Sequence, residues 1–227
     1  MALLGQAAIA MWWDVATEWQ QEFEDWHTHE HFPERMGIPG FLRGSRWASA
    51  DGGPGYFVMY ELERYETLSS PGYLARLNQP SPWSTKLMPR HRHMVRSQCR
   101  VLSSAGGGIG RCAMTLRLCP QDGRDDELRG YLAQRSERLA ERPGFLGGPL
   151  LRTETPAITM TTEQAIRGGP DPVADWIYVV TGYAEAALRG LRQEDVADDA
   201  LCGHGATRGI TTGLYELSCA VTPTDFA

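Results

Sequence analysis

The sequence predicts an α+β fold made of two successive strand–helix–strand–strand–helix–strand units. Three observations predict it. ERMGIPGFL at 34–42 is echoed by ERPGFL at 141–146. Aligning Phe41 with Phe145 carries the apolar run Ile9–Trp12 onto Ala113–Leu116. In each half an apolar strand then leads into a charged helix, a Pro-Gly-Phe-Leu turn and a second strand.

The elements follow in order. The start, MALLGQAAIAMWWDV, is apolar but has no basic leader, and Gln6 and Asp14 interrupt it. It reads as a first strand rather than a signal peptide. A helix follows, with Thr17 as its expected N-cap and Trp19, Phe23 and Trp26 on one face. Pro33 weakens its end, and Gly37, Pro39 and Gly40 stop it. Tyr56–Glu61 has strand composition, with Tyr56 and Tyr60 on one face and Phe57 and Met59 on the other. Asn78, Pro80 and Pro82 break the next helix early. His93–Leu102 is the fourth strand, and SSAGGGIG at 103–110 has the composition of a flexible linker. The second half repeats the order, with strands Trp176–Val180 and Thr211–Val221. Before Trp176 it carries an insert, TETPAITMTTEQAIRGGPDP, which reads as a loop. The expected division is a first unit at 1–104, bearing the candidate site, and a degenerate structural unit at 105–227. A βαββαβ unit is the ferredoxin-like arrangement, and it leaves one sheet face bare. Two units in one chain can cover each other's faces; pairing with a second chain, as a homodimer, stays open.

Composition narrows the function. At 227 residues and 42% hydrophobic, the chain can bury a sizeable core. With 22 basic and 28 acidic residues, it lacks the basic surface of a nucleic-acid binder and has no pull toward anionic membranes. No apolar run is long enough to span a bilayer. The five cysteines, Cys99, Cys112, Cys119, Cys202 and Cys219, are odd in number and widely spaced. They point to a reducing, cytoplasmic setting without a disulfide framework. No phosphate loop or nucleophile elbow is present, and no cofactor is called for.

The candidate chemistry lies on the first helix. HTHEH places His27 and His31 one turn apart, beside Trp26, while His29 faces water. The pair can be ordinary hydrogen-bonded core, can ligate a metal with Glu30 or Glu34, or can move protons near neutral pH. Of these, acid–base work is the working expectation: His31 as acid or base, His27 in support and no metal. A second cluster, MPRHRHMVR, sets His91 and His93 two apart on a strand, and His93 is expected to meet the helix histidines. Arg43 and Arg46 could hold an acidic group. Tyr60 would orient a substrate, and Trp26 would line its cavity. Trp83 would plug the core or close the cavity as an aromatic lid. The second half replaces His27, His31 and Pro33 by Tyr131, Arg135 and Glu137, so any site is asymmetric.

The segment WHTHEHFPERMGIPGFLRGSRW at 26–47 resembles the dimeric α+β barrel superfamily, in particular its EthD-like members. His31 and Pro33 match the His-x-Pro pattern, followed by Pro39-Gly40, and PGYLARLNQPSPWS at 71–84 resembles tandem bacterial members. The resemblance implies a barrel fused within one chain and a pocket between helices and sheet, with His31 as the carried-over residue. The superfamily includes small cyclases, lactone isomerases and cofactor-free monooxygenases, together with haem-bearing chlorite dismutases and dye peroxidases. The expectation is a small-molecule pocket doing cofactor-free acid–base chemistry on a polyketide, lactone or aromatic compound. The alternatives are a metal- or haem-dependent enzyme, with His204 as the second-half haem-ligand candidate, and a non-catalytic binding or interaction module. In such a module Trp26, Trp47 and Trp83 would fill the cavity and the histidines would lie outside it.

Overall fold

The computed structural model describes residues 3–51, 55–155 and 159–226. Eight strands form it: β1 (Ala7–Asp14), β2 (Phe41–Ser49), β3 (Tyr56–Leu62), β4 (Arg92–Gly106), β5 (Cys112–Leu118), β6 (Phe145–Thr153), β7 (Trp176–Gly182) and β8 (Thr211–Val221). They close into one antiparallel barrel in the order β1-β3-β2-β8-β5-β7-β6-β4. Within each half the order is the same, fourth-first-third-second, which is the ferredoxin-like arrangement. The halves join at two seams, β2 with β8 and β4 with β6. Closure leaves no bare sheet edge.

Both faces of these strands are covered, which is why β1 is apolar almost throughout. Ala8, Ala10 and Trp12 point into the barrel with Phe57, Met59 and Tyr215. Ile9, Met11 and Trp13 point outward beneath the first-half helices, with Tyr56, Val58 and Tyr60. The two faces of β3 therefore divide as its alternation predicts. A separate outer core lies under the second-half helices, around Leu128, Leu132, Tyr178 and Leu188.

The first-half helices are α1 (Thr17–Trp26), a π-helical turn (His27–His31), α2 (Phe32–Met36), α3 (Pro71–Asn78) and α4 (Pro82–Leu87). The second half has α5 (Asp125–Glu141), α6 (Thr162–Ile166), α7 (Glu185–Gln193) and α8 (Asp198–Gly203). Prolines open α3 and α4, where a missing N–H costs nothing, and Ser70 and Ser81 cap them. Gly40 and Gly144, each after a proline, sit at φ +94° and +95°, which a Cβ would strain.

Four local expectations need correction. Thr17 is already helical; Ala16 holds the cap position, without a side-chain bond. Ser103–Gly106 is not a linker but the end of β4, paired with Gly147–Leu150 of β6. The second-half insert is not all loop. It contains α6, started by a capping box between Thr161 and Gln164. Residues 156–158 of that insert, and Met1 and Ala2 of the expected first strand, lie outside the described residues. Finally, His91 and His93 do not share a strand face. His91 precedes β4, and His93 adopts φ 54°, the only positive φ at a non-glycine among the described residues.

Candidate active site

The first helix carries one extra residue in its middle turn. The Phe32 N–H reaches back to the carbonyl of His27, five residues earlier. Such π-turns lack the helix's best hydrogen-bond geometry and occur often at functional sites. Here the turn aims both His27 and His31 inward. Both are buried, with ring centroids 5.4 Å apart. Trp26 packs on His31 at 4.6 Å, and Phe32 meets His27 edge-on at 4.2 Å.

A cavity of about 40 Å³ lies between this helix and the outer face of the barrel. Trp13, Trp26, Tyr60 and Tyr73 form its aromatic walls, with Met11, Met88 and Met94. His27, His31 and His91 line it. So do Arg35 from α2, Arg96 from β4, and Glu163 and Arg167 from the second-half insert. As it stands, the volume suits a water cluster and nothing larger.

Polar atoms crowd this space without partners. Nδ1 of His27 and of His31, both ring nitrogens of His91, Nη1 of Arg35, the Tyr60 hydroxyl and Nε1 of Trp13 are all buried and unpaired within the protein. Buried polar groups are normally satisfied, so this concentration marks a place for a polar occupant. Burial holds the His27 and His31 imidazoles well below their ordinary value, and nearby arginines add to the effect, Arg46 for His27 and Arg35 for His31. Burial, then Arg167, brings His91 down to about 3. All three are therefore neutral near pH 7. Burial pushes the Tyr60 hydroxyl up, so it stays protonated.

One ion pair crosses between the halves. Arg35 Nη2 meets Glu163 Oε1 at 2.6 Å, with both side chains under a tenth exposed. Burial alone would depress Arg35, but Glu163, with the Tyr73 and Tyr60 hydroxyls, outweighs it and holds the guanidinium firmly charged. Glu163 also lies 3.7 Å from Arg167, which binds Asp171 through two nitrogens at 3.1 and 2.8 Å. Arg96 donates to the Tyr73 hydroxyl at 2.6 Å.

The residues picked from sequence divide. His27, His31, Trp26 and Tyr60 converge on the cavity. His93 does not meet them; it is exposed and binds Asp14 at 2.8 Å, and His91 occupies the place expected of it. Arg46 braces the helix from outside the cavity, bonding the Glu24 carbonyl and the Thr28 hydroxyl, each at 3.1 Å. Arg43 pairs with Glu61 at 2.6 Å, away from the cavity. Trp83 packs on the core and donates to Glu22, and it is not in the lining of this cavity. Trp47 lies inside the barrel. A cavity filled by three tryptophans with histidines outside is therefore not what forms. Arg35, Glu163 and Arg167 escaped sequence reasoning. The Thr161-x-x-Gln164 capping signature could have flagged a helix there, and with it the i, i+4 pair Glu163 and Arg167.

No protein-family model matches the sequence, and no curated protein matches it. Solved structures do. An anthrone oxidase-like protein superposes with a TM-score of 0.66 over 97% of this chain and 94% of its own, at 14% identity. The chain has the dimeric α+β barrel fold. A candidate monooxygenase from Fusobacterium nucleatum subsp. nucleatum matches this barrel at TM-score 0.63 and 9% identity, covering 97% and 96% of the two chains. A haem-binding protein from Thermus thermophilus matches at 0.53 and 8%, covering 94% and 91%.

Haem does not fit the residues present in this dimeric α+β barrel. The first-half cavity is far too small for the macrocycle as it stands, and the buried Arg35–Glu163 pair lies in its lining. In the second half His204 stacks on Tyr131 at 3.9 Å and lies near Glu127, half exposed at the surface. A metal fares no better on the donor set. Glu30 is committed to Trp26, Ser81 and Ser84, and among the described residues no three His, Cys, Asp or Glu side chains are arranged so that they could hold one ion. Among them, too, no helix is long and apolar enough to cross a membrane.

Proposed function

We propose that the first-half cavity binds a small phenolic or enolisable aromatic compound and removes a proton from it without a cofactor. The observation that carries this is the ring of unpaired imidazole, guanidinium and hydroxyl groups around one aromatic-walled cavity. A neutral imidazole accepts a proton at one ring nitrogen, and His31 Nδ1 has no partner within the protein. His27 packs beside His31 and holds its orientation. Arg35, charged and buried, stabilises the anion that results. Tyr60 donates to the substrate oxygen.

Such an anion reacts with dioxygen on its own electrons. For anthrone, one molecule plus O₂ gives anthraquinone plus water, and no outside reductant is needed. The anthrone oxidase-like neighbour makes anthrone the first substrate to try. Purified protein is mixed with anthrone in aerated buffer, and anthraquinone absorbance and oxygen uptake are followed. Faster turnover than in buffer, lost in His31→Asn, supports the reading. If the rate equals buffer and aromatic probes leave the tryptophan fluorescence unchanged, the reading is wrong.

A further inference from the structure

The cavity cannot admit an aromatic ring as it stands, so something must move, and the ion pair between the halves shows what. Arg35 comes from the first half and Glu163 from the insert of the second. Within the insert, Thr161–Asp171 meets the first half through the buried Glu163, through partly buried Ile166 on the first-half core, and through polar bonds. The polar bonds include the Arg35–Glu163 pair and an exposed bond from the Thr162 N–H to Asn78 Oδ1 at 3.1 Å. Gly168 and Gly169 within it take φ +98° and +133°, and a Cβ on either would meet open space.

Moving this segment separates Glu163 from Arg35. Glu163 keeps a partner, because Arg167 travels with it. Arg35 does not. Its Nη1 already lacks a partner, and Nη2 would lose its only anion. A buried guanidinium stripped of its counter-ion is strongly destabilising. The cost is removed if the incoming molecule brings an anion of its own. The lining that stays behind adds positive charge from Arg96 and no further carboxylate.

We propose that Glu163 occupies, on Arg35, the position of a ligand's acidic group, and that the pocket takes aromatic compounds carrying an anionic oxygen, which displaces it. This rests on the reading of the cavity as an aromatic-ligand site. The ligand's oxygen would receive the two guanidinium nitrogens together, using the Nη1 that Glu163 leaves free. Glu163 is thus a specificity-determining residue, supplied to the first-half site by the second half. The chain's net charge of −6 works against anions generally, so a preference for them must arise locally.

The test uses a matched pair of probes, 1-naphthoate and 1-naphthalenemethanol, titrated calorimetrically into the full chain at pH 7.5. Wild type is expected to bind the acid about tenfold more tightly than the alcohol. Glu163→Gln should raise affinity for the acid by about a further tenfold and leave the alcohol within about twofold. Arg35→Met should erase the preference. Equal binding of both probes by wild type overturns this inference and leaves the aromatic pocket standing, and that comparison needs no variant to fold. Weaker acid binding in Glu163→Gln also overturns it. Binding of neither probe overturns it together with the pocket reading.

Discussion

His27 and His31 stand four residues apart, and their rings sit 5.4 Å from each other on one wall of a cavity. A regular helix would also put i and i+4 side by side. The extra residue of the π-turn changes how the two rings meet the rest of the helix. Deleting exposed His29 should restore regular helical bonding and rotate one histidine off the cavity. We expect the fold to survive with a loss of about 1–3 kcal/mol, and 1-naphthoate binding to disappear. Unchanged binding in the deletion variant would mean the π-turn does not set the site.

The three buried imidazoles make stability depend on pH, and the sign follows from their lowered values. Below the ordinary value of 6.5 the unfolded chain takes protons that the folded chain refuses. Stability is therefore greatest above that value and falls as pH drops, down to about 3 for His91. Each such histidine contributes a slope of about 1.4 kcal/mol per pH unit. The guanidiniums of Arg35, Arg46 and Arg167 beside the rings oppose their protonation. Carboxylates also titrate in acid, so a difference measurement is needed. Urea unfolding of wild type and His91→Asn between pH 6 and 4.5 should give a slope lower by about 1.4 kcal/mol per unit in the variant. Identical slopes would show that His91 is protonated in the folded protein.

Much of the barrel could be read from sequence, because two-faced strands and repeated Pro-Gly turns write themselves into local composition. Gly40 and Gly144 are one such turn used twice. The helix histidines were legible for the same reason: Trp26, His27 and His31 are close in sequence. What was not legible depended on long-range closure. Glu163 reaches Arg35 across 128 residues, from a segment whose threonines and glycines suggested only loop. His91 and His93 were separable only by a backbone twist at His93, since strand alternation alone put them together. Arg43 looked like an anion contact, but its β2 register sets it opposite Glu61.

That last pair yields a prediction about stability alone. Glu61 is 1% exposed; it accepts from Arg43 and from the Leu4 N–H at 2.7 Å. Burial pushes its carboxyl up, and Arg43 pulls it back. Removing the acid leaves a nearly buried guanidinium without that counter-charge. Glu61→Ala should cost about 3–5 kcal/mol in chemical denaturation while naphthoate affinity of the folded fraction holds. A loss of affinity at unchanged stability would place Glu61 in the ligand site instead.

Two substitutions separate the base from the groups that merely orient. His31→Asn keeps a polar side chain beside Trp26 but removes the proton acceptor. Anthrone oxidation should fall by about 10²–10⁴-fold, with probe affinity changed far less. Tyr60→Phe removes a hydroxyl that has no partner within the protein, so the fold should barely notice; it should gain or lose under about 1 kcal/mol. Turnover should drop about tenfold at most, through a poorer KM rather than a collapsed kcat. The pH profile distinguishes the roles further. With His31 held far below its ordinary value, kcat/KM in wild type should stay flat from pH 8 down past 6.5, where an exposed histidine base would already have lost activity. A profile that bends at 6.5 would move the base out of this cavity, to a solvent-exposed group.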